Sequence, residues 1–180
     1  MAWTAPMTAV ANATFTAAQF NTHVRDNLLE TAPAKAANVG GYFVATGTNA
    51  IAERRGTAAA VDTAETRTLT SYGDLTTAGP AVTVTTGTRA LVTVSSEMVA
   101  GSGDPATSES RMSFAVSGAT TIAATDTVCA CRTGADVRFQ ISRTVYLTTL
   151  TAGSNTFTAK YRVSAGTTTF SHREINVLPF

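Results

Sequence analysis

The chain has 180 residues, a formal net charge of +1 at pH 7 and only 14% charged residues. Nucleic-acid-binding proteins concentrate Lys and Arg on a basic surface, so this composition argues against a nucleic-acid partner. The length suits one domain with an appendage. No run approaches the roughly 18 apolar residues that cross a bilayer, and MAWTAP lacks the features of a signal peptide, so we expect neither a membrane span nor a secretion signal.

Residues 1–14 (MAWTAPMTAVANAT) are predicted to form an extended arm. Pro6 biases Ala5 towards extended backbone geometry. Trp3 is the only tryptophan in the chain, and its ring would suit a pocket on a partner surface. Packing of Trp3 against the chain's own helix is the alternative.

Residues 15–31 (FTAAQFNTHVRDNLLET) form the only convincing amphipathic helix in the sequence. Thr16 and Gln19 match a T-x-x-Q capping box, and Phe15 and Phe20 occupy the two positions of a hydrophobic staple. Pro33 is expected to stop the helix.

A narrow apolar stripe runs along this helix at three- and four-residue spacing. Its members are Ala17, Phe20, Val24 and Leu28. A helix of about four turns is marginal alone in water, so the stripe must dock against something. The chain's own β-region, a second copy and a larger assembly are the three possibilities.

Two weak linkers and a small hairpin follow. GYFVATGTNAIAERR predicts strands 42–44 and 51–54 joined by a GTN turn, and residues 56–65 (GTAAAVDTAE) predict a linker. We place the domain boundary near residue 62. The predicted regions are 1–35 (arm and anchoring helix), 36–65 (linker with hairpin) and 66–180 (β-sandwich).

From residue 66 onwards, short alternating apolar and polar runs are typical of antiparallel strands with one covered face. The predicted strands are 66–72, 81–86, 89–99, 111–117, 120–124, 126–132, 137–150, 156–164 and 167–180. Residues 87–88 are predicted to join two of them as a hairpin. Strand 137–150 is predicted to point Phe139, Ile141, Val145 and Leu147 inward.

These patterns predict a mainly β protein, an antiparallel β-sandwich of jelly-roll type with an N-terminal extended arm and one amphipathic α-helix. The last strand, ending in INVLPF, is expected to lie in the middle of a sheet. Arginines of the β-region are interpreted as strand-edge solvation and inter-chain ion pairs. These are Arg89, Arg111, Arg132, Arg138, Arg143, Arg162 and Arg173.

Catalytic and metal-binding motifs are absent from the sequence. There is no G-x-S-x-G, Walker loop or H-E-x-x-H, and His23 and His172 lack other ligands at metal-binding spacing. Cys129 and Cys131 have no second pair of ligands, so we interpret them as small, half-buried side chains. We therefore expect no enzymatic activity, no cofactor and no metal.

WTAP followed by FTAAQFNTHVRDNL resembles the N-terminal module of virion proteins from tailed actinobacterial phages. GYFVATGTNAIAERR resembles the segment often found next. MSFAVSGATT, LTAGSNTFTAKYRVSAGT and FSHREINVLPF are similar to the terminal sandwich of small phage surface proteins, and more loosely to trimeric C1q/TNF-like heads. The likeness covers nearly the whole chain.

This resemblance implies a non-enzymatic structural protein of a bacteriophage virion, assembled in the host cytoplasm. The arm and helix would provide the particle-anchoring or inter-subunit contacts, and a trimeric sandwich would project outward. The implied contact residues are Trp3, Pro6, Phe15, Phe20, Val24 and Leu28. The implied partners are further copies of the chain and the major capsid protein or other virion proteins.

Two function classes follow from the resemblance. The first is a capsid decoration protein or short head fibre. The second is a minor tail protein, a tail-tip or tail-fibre subunit that contacts host cell-surface glycan. Sugar-binding loops commonly carry aromatic rings, and the predicted loops 73–80, 100–110 and 153–155 hold none, which favours decoration.

Overall fold

The computed structural model describes residues 3–180, so the first two residues of the predicted arm lie outside the described residues. The chain divides into two compact units, Met1–Arg55 and Gly56–Phe180. The division falls ahead of residues 56–65, which the sequence places in a linker.

In the first unit, the predicted helix begins at its capping box. Its segments are α1 (Ala17–Phe20), a π-helical turn (Asn21–Arg25) and α2 (Asp26–Leu29); we call residues 17–29 the arm helix. The Gln19 N–H donates to Thr16 Oγ1 over 3.2 Å, and the Thr16 N–H donates to Gln19 Oε1 over 2.9 Å. The rings of Phe15 and Phe20 meet edge to face, with centroids 6.1 Å apart. The capping box and the staple are confirmed.

The prediction that Pro33 stops the helix is wrong. The arm helix ends at Leu29, and a short helix, α3 (Ala32–Lys35), begins with Pro33 in its first turn. Proline lacks an N–H, and the first turn of a helix needs none there, so Pro33 starts a helix here.

The predicted hairpin is confirmed, with longer strands. β1 (Tyr42–Gly47) pairs antiparallel with β2 (Ala50–Arg54), and the register shifts between Ala45 and Gly47. Asn49 lies in the turn with φ of 54°, a left-handed conformation that Asn tolerates better than most residues.

The second unit is a sandwich of two antiparallel sheets. Its strands are β3 (Thr57–Val61), β4 (Glu65–Arg67), β5 (Ala81–Thr86), β6 (Ala90–Ala100), β7 (Glu109–Gly118), β8 (Ala130–Thr133), β9 (Arg138–Leu147), β10 (Gly153–Val163) and β11 (Thr168–Pro179). One sheet has the order β5-β10-β7-β8. The other has the order β3-β11-β6-β9, with β4 also pairing with β11.

The strand pairs are nested. Leaving β4 aside, the first strand pairs with the last (β3 with β11), the second with the seventh (β5 with β10), the third with the sixth (β6 with β9) and the fourth with the fifth (β7 with β8). This is one long hairpin rolled into two sheets, the arrangement of a jelly roll. The predicted fold class is confirmed, and β11 lies inside its sheet as expected.

The core lies between the two sheets and is built from alternate residues of the long strands, as period-2 patterning requires. The largest apolar side chains that are fully enclosed are Val92, Val94, Met98, Met112, Phe114, Phe157, Tyr161, Val163, Phe170, Ile175 and Val177. In β7, the alternate residues Met112, Phe114 and Val116 are all buried.

Five predictions about the strands need correction. The hairpin at residues 87–88 is wrong, because β5 and β6 lie in different sheets. Residues 57–61, predicted as linker, form β3 because β11 supplies backbone partners along that whole segment. Strand 66–72 shrinks to β4. The predicted strand 120–124 is wrong, because its residue Ile122 makes only an isolated bridge to Val116. Segment 126–132 divides into a 3₁₀ turn (Asp126–Val128) and β8.

Strand β9 faces the predicted way but is less covered than predicted. Phe139 and Ile141 align with the enclosed residues Met98 and Ser96 of β6, so they point to the inner face. Phe139 nevertheless keeps 45% of its surface exposed. The facing sheet ends in β8, which has 4 residues against 10 in β9, so part of the inner row of β9 lacks a strand above it.

Arg173 is the largest fully enclosed side chain of the sandwich. Its guanidinium donates to the carbonyl oxygens of Thr77 (3.3 Å) and Thr63 (3.2 Å) and lies 3.6 Å from a Glu65 carboxylate oxygen. It also stacks over the Tyr161 ring, 5.5 Å from the centroid. The Arg173 side chain thus connects the segments before and after β4 to the sheet.

We predict that Arg173→Ala lowers the free energy of unfolding by about 3 kcal/mol, because it leaves an acid and two carbonyls without their enclosed partner. Urea unfolding followed by circular dichroism measures the loss. Arg89→Ala removes an exposed arginine and should change stability by less than about 0.5 kcal/mol. Equal effects of the two substitutions would contradict this role for Arg173.

Candidate functional site: the arm and its helix

The polar side of the arm helix holds the arm. Asn27 is buried, and its side-chain amide bonds to both backbone groups of Thr4: the Thr4 N–H donates to Oδ1 (2.9 Å), and Nδ2 donates to the Thr4 carbonyl (3.0 Å). Nδ2 also donates to the His23 carbonyl over 3.1 Å. The Asn27 amide therefore makes the two hydrogen bonds to the Thr4 backbone that a neighbouring β-strand would otherwise make.

Two further contacts fix neighbouring arm residues. His23 Nδ1 lies 3.1 Å from the Ala5 carbonyl, which requires the proton on Nδ1 for a hydrogen bond. The Trp3 N–H donates to the Asn49 carbonyl of the hairpin turn over 3.4 Å. Consecutive residues of the arm are thus attached to the arm helix and the hairpin.

The arm is not extended throughout. A turn closes where the Ala13 N–H donates to the Val10 carbonyl over 3.2 Å, with Asn12 at φ of 64°. Around it lies a cavity of about 320 Å³. Its lining residues are Met7, Thr8, Ala9, Val10, Ala13, Thr14, Phe15 and Gln19. This cavity is large enough for an apolar side chain.

The side chains that the sequence singled out as anchors lie at the surface. Phe20 is 48% exposed, Val24 36% and Leu28 61%. Trp3, Pro6, Phe15 and Ala17 are also exposed. Within the described residues, the arm helix is therefore capped at its N-terminus and bound to the arm along its polar face, while its apolar face stays exposed.

The π-helical turn changes the end of the stripe. A π turn carries one extra residue, which sets later residues back by about 100° relative to an uninterrupted α-helix. Leu28 and Leu29 then flank the line through Phe20 and Val24, and Leu29 is 53% exposed. The sequence pattern missed both Leu29 and Asn27. The i, i+4 spacing of His23 and Asn27 was the available signal, since it places two polar side chains on one helix face.

A second cluster of polar side chains lies on the outer face of the sheet β5-β10-β7-β8. Arg111 and Arg162 face each other across β7 and β10, and both bind the carboxylate of Asp126. The Tyr72 hydroxyl donates to the same carboxylate over 2.8 Å. Hydrogen bonds from Arg162 and Arg111 hold the pKa of Asp126 below its usual range, and burial followed by the bond to Asp126 raises the pKa of Tyr72. The cluster attaches the 3₁₀ turn to the sheet.

Both cysteines border this cluster. Cys129 is half-buried as predicted, whereas Cys131 is exposed, and both thiols are free. Although Cys131 is exposed as a residue, desolvation of its thiol group by the neighbouring side chains raises the pKa of that thiol, so a reactive thiolate is disfavoured at neutral pH.

The interpretation of the arginines as surface solvation is wrong for four of them. Arg173 and Arg132 are buried, and Arg111 and Arg162 bind Asp126 within the chain. Arg138 does fit the prediction of an exposed strand-edge residue, with an ion pair to Glu97 at 2.6 Å. Arg89 and Arg143 are exposed.

Within residues 3–180, no three or more His, Cys, Asp or Glu side chains are grouped so as to hold a metal ion. No helix in that part of the chain is long and apolar enough to cross a membrane.

Comparison with known proteins found no matching family model and no matching curated protein. The fold and the site define the chain as a jelly-roll β-sandwich protein with an N-terminal arm-and-helix unit.

We predict that Asn27→Ala weakens attachment of the arm by about 1–2 kcal/mol, because Thr4 loses both of its side-chain partners. Hydrogen exchange at the Thr4 amide should accelerate accordingly. Asn21→Ala is the matched control, since the described contacts give the Asn21 side chain no hydrogen bond. An unchanged exchange rate in Asn27→Ala would rule out this attachment.

We predict that Asp126→Asn lowers stability near neutral pH by on the order of 1 kcal/mol, the scale of a partly exposed ion-pair network. The folded pKa of Asp126 is below its unfolded value of about 3.9, so this contribution is present above that pH and is lost as the pH falls towards the folded pKa. The difference in unfolding free energy between wild type and variant should therefore shrink below about pH 4. Asp136→Asn, at an exposed carboxylate, is the matched control for the loss of one surface charge.

Proposed function

We propose that the chain is a non-enzymatic structural protein of a tailed bacteriophage virion, attached through its arm and arm helix, with a trimeric sandwich that projects from the particle. The observation that carries this proposal is the bare apolar stripe on a helix that is otherwise capped and held in place. The resemblance of the WTAP and FTAAQFNTHVRDNL segments to phage virion proteins supplies the biological setting.

The energetics of the stripe support an attachment role. Fully burying a Leu, Val or Phe side chain contributes about 1.5–3 kcal/mol each. Phe20, Val24 and Leu28 have a third or more of their surface exposed, so docking them would provide a substantial driving force. The arm is already ordered by Asn27, which reduces the entropy lost on binding.

Two kinds of surface can cover the stripe in such a particle. Three copies of the arm helix can meet around a threefold axis, or each can lie in a groove of the major capsid protein or another virion protein. The cavity beside Phe15 adds a place for an apolar side chain from that surface. The first arrangement holds the copies together, and the second holds each copy on the particle.

The loops of the sandwich support capsid decoration or a short head fibre over host recognition. Carbohydrate sites commonly stack sugars on exposed aromatic rings. Loops 73–80, 101–108 and 164–167 contain no Phe, Tyr or Trp. Tyr72, at the edge of one of them, is engaged with Asp126 and Arg162. A tail-tip or tail-fibre subunit that binds host glycan is the alternative.

We predict that Phe20→Asp or Val24→Asp abolishes incorporation into particles while the far-UV circular dichroism of the sandwich is unchanged, because a charge on the stripe opposes its burial. Thr22→Asp is the matched control, since it adds the same charge at an exposed polar position of the same helix. Incorporation is measured by immunoblot of purified particles from complementation. Normal incorporation of both stripe variants would refute attachment through the arm helix.

The same particles distinguish decoration from host contact. Gold label on a C-terminal tag should cover the head of a decorated capsid. Label confined to the tail tip would favour the alternative.

A further inference from the structure

Arg132 is a buried cation without a polar partner. Only 4% of its surface is exposed, and none of its three guanidinium nitrogens has a hydrogen-bond partner within the described residues. A guanidinium stays protonated at neutral pH, and a buried charge without a partner is costly. Arg173, a second buried arginine, instead binds two carbonyl oxygens and lies close to Glu65. The surroundings of Arg132 therefore lack the acceptors that Arg173 has.

Arg132 lies on the inner side of β8, at the end of the sandwich where the chain turns into β9. Its guanidinium carbon is 5.5 Å from the centroid of the Phe139 ring, which is itself 45% exposed. A methyl group placed on Gly134, in the turn between the two strands, would have a single neighbour within 4 Å outside its own chain segment, Nη2 of Arg132 at 3.9 Å. The guanidinium thus lies next to a half-exposed ring and a turn that leaves room beside Nη2.

The polar groups nearest to Arg132 in the fold are engaged elsewhere or point to solvent. Ser110, in register with Arg132 on β7, has its hydroxyl oxygen 2.7 Å from that of Thr168. Asp136, the acid of the β8–β9 turn, is exposed and has no ion pair among the described residues. The cation–π contact with the Phe139 ring replaces only part of the lost hydration of a buried guanidinium. The site therefore favours an anion.

The chemistry of the site favours a carboxylate among the possible anions. A guanidinium donates two parallel hydrogen bonds to a planar carboxylate, which a chloride ion cannot accept. Arg132 is also a single cation, since Arg111 and Arg138 bind acids on the outer faces of the sheets. A phosphate or sulfate dianion would therefore lack a second positive charge here.

We propose that Arg132 is the centre of a carboxylate-binding site at the β8–β9 end of the sandwich, where its guanidinium donates two parallel hydrogen bonds to one carboxylate group. The guanidinium nitrogens are closed to water, so the Phe139 ring or the turn 134–137 moves aside as the group enters. The group comes either from a small carboxylate in solution or from an acidic side chain of another polypeptide. The site lies in the sandwich and not in the arm helix, so this inference goes beyond the proposed function and does not rest on it.

The first test titrates the full chain with sodium acetate at constant ionic strength. The NMR signal of the Arg132 Nε–H should shift saturably, with half-saturation at roughly 1–10 mM for so small a ligand. The midpoint of thermal unfolding should rise with acetate concentration, because acetate binds the folded chain. An Arg132 signal that is unmoved at about 100 mM acetate, or that responds equally in a separate titration with chloride, would overturn the proposal.

Substitutions of Arg132 test whether its side chain is the binding group. Arg132→Met should abolish the effect of acetate on the unfolding midpoint, and Arg132→Lys, which keeps the charge without the planar set of donors, should weaken acetate binding by at least about tenfold. Arg89→Met, at an exposed arginine that precedes β6, should respond to acetate as the wild type does. A wild-type response in Arg132→Met and Arg132→Lys would reject the site.

Stability without acetate gives an independent readout. Arg132→Met should be at least as stable as the wild type, because an apolar side chain has no unpaired charge to desolvate. A large loss of stability in Arg132→Met would mean that the guanidinium already has a partner within the folded chain, and the proposal would then be wrong. The acetate titrations of the wild type and of Arg132→Lys decide the question if Arg132→Met does not fold.

Asp136 is the alternative partner within the chain. If Asp136 supplied the carboxylate, Asp136→Asn would shift the Arg132 signal in the absence of acetate, and acetate would leave the wild-type signal unchanged. That pair of results would replace the proposed site by an internal ion pair. An unchanged Arg132 signal in Asp136→Asn, together with a wild-type response to acetate, supports the proposal.

Two blocked tripeptides separate the two sources of the carboxylate. One has a central glutamate between two glycines, and the other has glutamine in its place. If the glutamate peptide binds at least about tenfold more tightly than acetate, the site takes an acidic side chain of a polypeptide. Weaker binding assigns the site to small carboxylates. Equal binding of the glutamine peptide would show that the carboxylate is not what is recognised, and would contradict the inference.

Discussion

The sandwich depends on the pairing of its last strand, β11, with β3, β4 and β6. β11 contains a register shift between Ser171 and Glu174, with His172 at φ of 45°. The shift reverses which positions face inward, so Phe170 and then Arg173, Ile175 and Val177 are enclosed. Without it, Arg173 would point to solvent, and the segments around β4 would lose the side chain that attaches them. A one-residue bulge therefore sets both the core and its main polar contact.

Alternation in the sequence predicted the long strands and their buried faces but not their partners. It reports which face of a strand is covered, and this was sufficient for β6, β7 and β10. In a rolled hairpin, consecutive strands mostly lie in opposite sheets, so the short connection between β5 and β6 resembles a hairpin turn and is not one. β3 (TAAAV) lacks large apolar side chains, and only its pairing with β11 makes it a strand. In the last strand, the large apolar residue before the bulge has an even number (Phe170) and those after it have odd numbers (Ile175 and Val177). This change in the alternation was a sign of the bulge in the sequence.

In the arm helix, contacts between residues close in the sequence were predicted well, whereas contacts between residues far apart in the sequence were not. The capping box and the staple involve residues within five positions of each other, so sequence spacing is enough to define them. The bond between Asn27 and Thr4 spans 23 positions, and the π turn depends on backbone geometry that no spacing rule for α-helices contains. The stripe residues were identified, while the side chain that holds the arm was missed. The sequence does not show where the arm lies. The polar face of the arm helix becomes a binding surface only because the arm lies against it.

Because the chain has few charged residues, the few charges that stay unpaired account for most of the electrostatic field at the surface of the sandwich. Most acids of the sandwich bind within the chain: Asp126 to two arginines, Glu97 to Arg138 and Asp74 to Lys160. Hydroxyl pairs such as Thr83 with Thr156 and Thr93 with Thr144 occupy the outer faces instead. Threonine surfaces carry no long-range field, so they neither attract nor repel a neighbouring copy strongly. In the proposed attachment, the apolar stripe supplies affinity without a directional preference of its own, so the orientation of the chain depends on the polar and charged groups around the stripe.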